Sequence, residues 1–218
     1  MVIGDEAPVH RRITRARPRD PGHAPILGNR WRDMPLDSEL FFYALAADEG
    51  QNARVFSIQF FHTVHQTLNQ GVTPLQHRLA QRLRANVRNT PWFFVIEFTE
   101  SEIVHVHGIL NPAGETDGNI KRALKKAAGD ARKIKTSGEH FFFHCKAVDY
   151  GPVDWSEQYG GNVGPYGWAK YMSKNAERTK KVLNLPRAPV SAQLEIRRRA
   201  RAIYEEDLAA ARALNPDR

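Results

Sequence analysis

Two apolar runs near the middle of the chain constrain its fold more than any other feature. Residues 91–99 have the sequence PWFFVIEFT and residues 103–110 have the sequence IVHVHGIL. Each run has the length of a β-strand and is rich in β-branched or aromatic residues. Only residues 100–102 separate the two runs. Such a short connection predicts an antiparallel hairpin, because parallel neighbours need a long crossover.

The alternation of side chains along these strands places three polar residues on one face of the hairpin. A three-residue loop pairs Glu97 with His105 and sets Glu97 diagonal to His107. One carboxylate and two imidazoles suit a divalent cation and leave positions open for substrate oxygens. A slip of one residue would move Glu97 to the other face, and Glu100 or Glu102 would then replace it. The alternative for both histidines is an ordinary hydrogen-bonded role in the core or at the surface.

The charge of the chain favours a polyanionic partner. The 218 residues include 32 Lys and Arg against 24 Asp and Glu, which gives a net charge of +8. An excess of this size attracts phosphate backbones, although a merely basic, soluble surface would also account for it. The single cysteine, Cys145, excludes an intrachain disulfide and indicates a reducing compartment. No apolar run is long enough to cross a bilayer and no signal peptide is evident, so we expect a cytoplasmic protein.

The rest of the chain predicts a mixed arrangement of helices and strands. Residues 1–30 are rich in Arg and Pro and predict a disordered basic arm, either phosphate-binding or simply solvated. Helical spacing dominates residues 36–90, but the segment 53–71 is open between helix and strand. After the hairpin we expect a helix at residues 117–135, a strand at 139–148 and a glycine-rich loop at 150–165. Two further helices are expected at residues 165–183 and 191–214.

A tyrosine in the helix after the glycine-rich loop supplies a candidate nucleophile. Lys174 follows Tyr171 by three residues in the segment YMSK, and Arg178 continues the same helical face. A cationic face suits a tyrosine directed at a phosphate, because nearby cations favour the phenolate. The alternative is a packed tyrosine beside a solvated lysine. Trp168 and Met172 lie on the opposite flank, where we expect them to belong to the core.

The combination of VHVHG and AKYMSK resembles the motifs of the HUH endonuclease superfamily. The resemblance covers residues 90–182, and FVIEFT is loosely similar to the strand motif that precedes the histidines in that family. The order of the motifs, with the histidines ahead of a single tyrosine, is similar to that in rolling-circle replication initiators and related transposases. Conjugative relaxases usually place the tyrosine first.

The resemblance implies an α+β fold in which helices flank a central antiparallel sheet of the ferredoxin-like architecture that RRM domains share. It implies that His105 and His107 hold Mg²⁺ or Mn²⁺, and that Tyr171 attacks the scissile phosphodiester of single-stranded DNA. Lys174 would stabilise the charge of the phenolate or the phosphate. Tyr166 and Tyr171 lie about 140° apart around the helix and do not share a face, so we expect a single nucleophile. Tyr166 is the reserve candidate, because Lys170 follows it by four residues.

The expected function is site-specific nicking and rejoining of single-stranded or hairpin DNA at the replication origin of a plasmid or phage. The chain has no recognisable helicase P-loop, so such an initiator would use the host helicase and polymerase. A transposase or mobilisation protein would use the same chemistry. The alternative of another class is a non-catalytic DNA-binding regulator on the same sheet.

Further DNA contacts are expected around this site. Lys170 and Arg178 lie in the helix of the tyrosine, and His144 and Lys146 occupy even positions of the third strand, opposite its apolar odd positions. An ordinary exposed face is the alternative for that strand. The sequence thus predicts three parts, which are a basic arm (1–30), a nuclease domain (31–185) and a basic C-terminal helix (186–218).

Overall fold

A computed structural model describes residues 30–49, 52–63, 71–87, 90–98, 103–128, 143–147, 164–174 and 176–214. A short 3-10 turn, Trp31–Asp33, opens the described part of the chain. Its helices are α1 (Leu36–Ala47), α2 (Val72–Asn86), α3 (Asp117–Ala128), α4 (Gly164–Ser173), α5 (Ala176–Val182) and α6 (Leu194–Leu214). Its strands are β1 (Arg54–Thr63), β2 (Trp92–Phe98), β3 (Ile103–Leu110), β4 (Phe143–Ala147) and β5 (Val190–Ala192).

One sheet organises these elements, with the strands in the order β4-β1-β3-β2-β5. Every neighbouring pair in it is antiparallel. The connections β1-α2-β2 and β3-α3-β4 are joined through the β2-β3 hairpin, which is the ferredoxin-like arrangement of two split β-α-β units. The predicted α+β fold, an antiparallel sheet flanked by helices, is therefore confirmed.

The predicted hairpin forms with the expected register. Glu97 pairs with His105, and Val95 pairs with His107. Because side chains alternate between the two faces, this register keeps Glu97 on the histidine face. The two substitutes considered for a slipped register, Glu100 and Glu102, lie outside the described residues.

The segment that was open between helix and strand forms the central strand β1. It pairs with β3 on one side and with β4 on the other, so helical structure across residues 36–90 is interrupted here. Its apolar residues fit both periodicities, and the two neighbouring strands decide between them by offering partners to its backbone groups. This strand places Ser57 directly opposite His107.

Both faces of the sheet are covered, which explains why the strands are apolar on both sides. On one face Val55, Phe93 and Ile109 are buried against α1, α4 and α6. On the other face Phe56 and Phe94 are buried against α2 and α3. Cys145 of β4 joins the second cluster, as its odd position in the third predicted strand required.

The C-terminal segment packs against the same core. Ile196, Ala200 and Tyr204 of α6 are buried in a cluster with α1. Strand β5, just before α6, extends the sheet beside β2. No described helix, α6 included, is long and apolar enough to cross a membrane. Residues 1–29, most of the predicted basic arm, lie outside the described part of the chain.

The single helix predicted over residues 165–183 is divided into two. Helix α4 packs on α1, whereas α5 packs on the edge of β2, where Thr179 Oγ accepts a hydrogen bond of 3.0 Å from the Phe98 N–H. Lys174 lies in the turn between them, and its N–H donates to the Tyr171 carbonyl at 3.3 Å. Tyr171 and Arg178, predicted to lie in one helix, therefore belong to two different helices.

Candidate metal centre

Three side chains with metal-ligating atoms meet on the face of the sheet that α1, α4 and α6 cover. Glu97 of β2 and His105 and His107 of β3 each offer one ligand atom, and these atoms lie within 4.8 Å of one another. Glu97 and His107 are buried, whereas His105 is partly exposed. Solvent therefore reaches the cluster from the His105 side. The hairpin register brings together the three residues that the sequence predicted.

Two buried atoms of this cluster have no hydrogen-bond partner among the described residues. His107 Nε2 lies 2.6 Å from Glu97 Oε1, yet Nε2 makes no hydrogen bond with proper geometry to any described residue. The second carboxylate oxygen, Glu97 Oε2, also has no partner among the described residues. Buried polar atoms in this state are costly. A divalent cation would satisfy both atoms at once, so the residues present fit a metal ion.

Ser57 holds the opposite side of the His107 ring. Its Oγ lies 2.6 Å from His107 Nδ1, and both side chains are buried. When Nδ1 carries the proton and donates it to Ser57 Oγ, the lone pair of Nε2 faces Glu97. A second group that holds the far nitrogen is typical of metal-ligating histidines. The role of Ser57 could not be predicted from the sequence, because it requires β1 to be a strand paired with β3.

The electrostatic surroundings of His105 favour a neutral imidazole. Burial lowers the pKa of His105, the charge of His107 lowers it further, and Glu97 opposes these effects. A neutral ring has a lone pair available at neutral pH, which a metal ligand requires.

Tyr171 lies against this cluster. Its ring centroid is 5.0 Å from that of His107, with the two rings nearly perpendicular at 81°. The side chain is 46% exposed, so a substrate can reach it from solvent. Burial and the charge of Glu97 raise the pKa of Tyr171. This direction is opposite to the lowering expected from a cationic helix face, so the hydroxyl keeps its proton at neutral pH.

Trp168 belongs to the margin of the site as well as to the edge of the core. Its ring stacks on that of Tyr171, with centroids 4.9 Å apart and an interplanar angle of 21°. Its edge also approaches His107, with centroids 6.1 Å apart. The prediction of a core residue is confirmed for the buried Met172 but incomplete for Trp168. Trp168 and Tyr171 are three residues apart on α4, and this spacing was the signal available in the sequence.

Gly108 follows the second histidine for a packing reason. A Cβ atom at this position would lie 2.5 Å from the Phe93 carbonyl oxygen and closer still to the Phe56 ring. The carbonyl of Gly108 also accepts a hydrogen bond of 3.4 Å from Trp168 Nε1. The glycine therefore lets the histidine strand approach its neighbours and ties α4 to the strand.

The other residues predicted on the tyrosine helix are separated by the break in that helix. Lys170 lies in α4, Lys174 in the turn and Arg178 in α5, and all three side chains are exposed. The side chain of Tyr166, the reserve nucleophile, lies outside the described part of the chain.

The third predicted strand reaches the site through its register. Position 144 pairs with Ser57, and position 146 pairs with Val55, so both positions belong to the sheet face of the cluster. The side chains of His144 and Lys146 lie outside the described residues, and their DNA contacts stay predictions.

Comparison with known proteins identified no relative of this chain. No family model, curated protein or solved structure matches it. The interpretation of the site therefore depends on its own geometry.

Proposed function

We propose that this protein is a metal-dependent endonuclease and strand transferase of the HUH type, acting on single-stranded DNA. One observation carries the proposal. The Tyr171 ring lies 5.0 Å from the ring of His107, which belongs to a Glu-His-His cluster in which two buried atoms, Glu97 Oε2 and His107 Nε2, have no hydrogen-bond partner among the described residues. A nucleophile beside a cation site is what phosphodiester transfer requires.

Glu97, His105 and His107 would hold Mg²⁺ or Mn²⁺. Oxygen and imidazole ligands suit these ions. When bound, the ion would supply Lewis-acid stabilisation of a non-bridging phosphate oxygen and favour the phenolate of Tyr171. Ser57 would keep His107 in the tautomer whose Nε2 is free to bind.

The proposed reaction exchanges one phosphodiester for another. Tyr171 Oη attacks the phosphorus, so that an Oη–P bond forms as the bond from phosphorus to the 3′ oxygen breaks. Tyr171 loses its phenolic proton, and the leaving 3′ oxygen gains one, so no net proton is released. The products are a free 3′-OH and a 5′-phosphate linked to Tyr171. Because no phosphodiester is hydrolysed, a later 3′-OH can attack the linkage and rejoin the strands without ATP.

The surroundings of Tyr171 support a single-stranded substrate. The stacked rings of Trp168 and Tyr171 are only partly buried, and aromatic platforms of this kind bind unpaired bases. The exposed Lys170, Lys174 and Arg178 would add contacts to the phosphate backbone. These contacts position a strand near the nucleophile without reading its sequence.

The biological setting we favour is the start of rolling-circle replication at a plasmid or phage origin, with the host helicase and polymerase as partners. This function would place the protein in the cytoplasm. Transposition or mobilisation would use the same site and the same reaction.

Covalent capture tests the proposal and does not require a defined nick site. The protein is incubated with Mn²⁺ and a pool of single-stranded oligonucleotides with randomised centres. DNA that resists denaturing detergent is sequenced, and the modified peptide is mapped by mass spectrometry. We expect the adduct on Tyr171, its loss in Tyr171→Phe and its persistence in Tyr166→Phe.

Two outcomes would count against this assignment. Undiminished adduct formation by Tyr171→Phe would exclude Tyr171 as the nucleophile. Binding of single-stranded DNA without any cleavage in Mg²⁺ or Mn²⁺ would indicate the non-catalytic regulator instead.

A further inference from the structure

The helices on the face of the sheet away from the candidate metal centre carry mostly positive charge. Asp117 is the only acidic residue within α2 and α3, and its carboxylate accepts a 2.9 Å hydrogen bond from Arg54 Nε. Among the described side chains of the two helices, the exposed cations are Arg82, Arg84, Lys121, Arg122, Lys125 and Lys126. Acidic groups within these helices therefore do little to neutralise this surface, called here the α2–α3 face.

The charge of the other helices differs from that of the α2–α3 face. Helix α1 contains Asp37 and Glu39 but no Lys or Arg. Helix α6 mixes five arginines with four acidic residues, and Arg201 pairs with Glu205 at 2.8 Å. Exposed cations also follow Tyr171, at Lys174, Arg178 and Lys181, so the α2–α3 face is one of two positive surfaces among the described residues and would attract a polyanion to its own side of the sheet.

A groove on the α2–α3 face offers donors for phosphate oxygens. It has a volume of about 260 Å³ and lies where the end of α2 meets α3. Arg122 and Lys126 line it together with the amides of Asn86 and Asn119. Cations and amides of this kind are the usual partners of a nucleic-acid backbone. Its one carboxylate, Glu115, accepts a 3.0 Å hydrogen bond from Asn119.

The residue types of the α2–α3 face favour a duplex over a single strand. Neither α2 nor α3 contains Phe, Tyr or Trp. Single strands are normally held by aromatic stacking as well as by charge. A double helix presents a dense row of phosphates and keeps its bases stacked inside, so cations alone can bind it. The aromatic residues at the metal centre, Trp168 and Tyr171, lie on the other side of the sheet.

We propose that the α2–α3 face binds the backbone of double-stranded DNA without reading its sequence. The sheet separates this face from Tyr171, so duplex binding and strand cleavage would use different surfaces of one molecule. The inference goes beyond the proposed nuclease activity and does not depend on the metal centre.

A pair of charge-matched variants tests the proposal. One variant combines Lys121→Gln, Arg122→Gln and Lys126→Gln on α3, where glutamine preserves helix propensity. The control combines Arg197→Gln, Arg198→Gln and Arg212→Gln, three exposed positions of α6. Both are made in a Tyr171→Phe background, and their binding to a short DNA duplex is measured by fluorescence anisotropy in EDTA at several salt concentrations. Circular dichroism and thermal melting establish that both are folded.

We expect the α3 variant to bind the duplex about tenfold or more weakly. Its affinity should also depend less on salt, with the logarithmic slope reduced by about 0.9 for each phosphate that the variant no longer neutralises. The α6 control should change little, since charges more than about 10 Å from the duplex are screened at 0.1 M salt.

Several results would overturn this inference. If the α3 variant binds the duplex with unchanged affinity, the α2–α3 face is not the binding surface. If the two variants lose affinity equally, the loss is an effect of net charge and not of this face. If the α3 substitutions weaken binding to single-stranded DNA or to duplex RNA more than binding to duplex DNA, double-stranded DNA is not the partner of this face. The assay contains no metal and no nucleophile, so a failure of the nuclease proposal does not affect it.

Discussion

Glu97 is the residue on which the interpretation of the metal centre most depends. Its carboxylate is buried, and one of its oxygens has no hydrogen-bond partner among the described residues. A structural carboxylate in a core would be expected to have its oxygens satisfied by donors. The missing donor, together with two histidine nitrogens nearby, favours a cation over a purely structural role.

At the residue scale, Ser57 is expected to control metal affinity through His107. Replacing Ser57 by Ala removes the hydroxyl that lies 2.6 Å from Nδ1 and leaves that buried nitrogen without this partner. We expect Mn²⁺ to bind about 10–100-fold more weakly, the usual loss when an outer partner of a ligand is removed. Isothermal titration calorimetry measures the change.

Ser57→Thr is the control, because it keeps the hydroxyl in a strand position that suits a β-branched residue. We expect it to retain most of the affinity. If Ser57→Ala binds Mn²⁺ as tightly as the unmodified protein, the hydrogen bond to Nδ1 does not support metal binding.

At the scale of elements, the two halves of the tyrosine helix depend on different neighbours. The helical pattern of the sequence runs across the break, because Ala169, Met172 and Ala176 all contribute to one buried cluster. Helix α5 is also attached to β2 by the hydrogen bond between the Phe98 N–H and Thr179 Oγ. A local periodicity carries no information about such a partner.

Thr179→Val tests the attachment of α5 to the edge of β2. Thr179 is fully buried, and valine preserves its shape while removing the acceptor of the Phe98 N–H. We expect the free energy of unfolding to fall by about 1–3 kcal/mol, as for a buried donor left unsatisfied. Urea denaturation measures this loss. Thr179→Ser keeps the hydroxyl, so its free energy of unfolding should fall by less. A larger loss in Thr179→Ser than in Thr179→Val would show that packing matters more than the hydrogen bond.

The central strand β1 shows how elements depend on their partners. Its local sequence suits a helix or a strand, and its two hydrogen-bonded neighbours, β3 and β4, decide for the strand. The hairpin was easier to predict, because both strands and their short loop are adjacent in sequence. Ser57 could not be recognised as part of the site until β1 was placed beside the histidines.

At the scale of the whole molecule, the metal centre links ligand binding to stability. Its ligands come from two strands of the folded sheet, so the unfolded chain lacks the assembled site. Mn²⁺ at about 100 times its dissociation constant should stabilise the native state by about 2.7 kcal/mol. Thermal melting with and without EDTA measures the effect.

Glu97→Gln and Glu195→Gln make a suitable pair for this measurement. Glu97 is one of the three candidate ligands, whereas Glu195 is an exposed residue of α6. The stabilisation by Mn²⁺ should be largely lost in Glu97→Gln and retained in Glu195→Gln. Equal stabilisation of both variants would place the bound ion elsewhere.

The sequence by itself predicted the hairpin, the register that the structure has and the three candidate ligand residues, because alternation and a short loop are local properties. It also identified the tyrosine, and α4 places that tyrosine at His107. Only the tertiary structure decided that β1 is a central strand, that Ser57 holds His107 and that Trp168 stacks on Tyr171. These features join residues distant in sequence, and pairing across a sheet or packing of a helix on it is set by partners that local patterns do not specify.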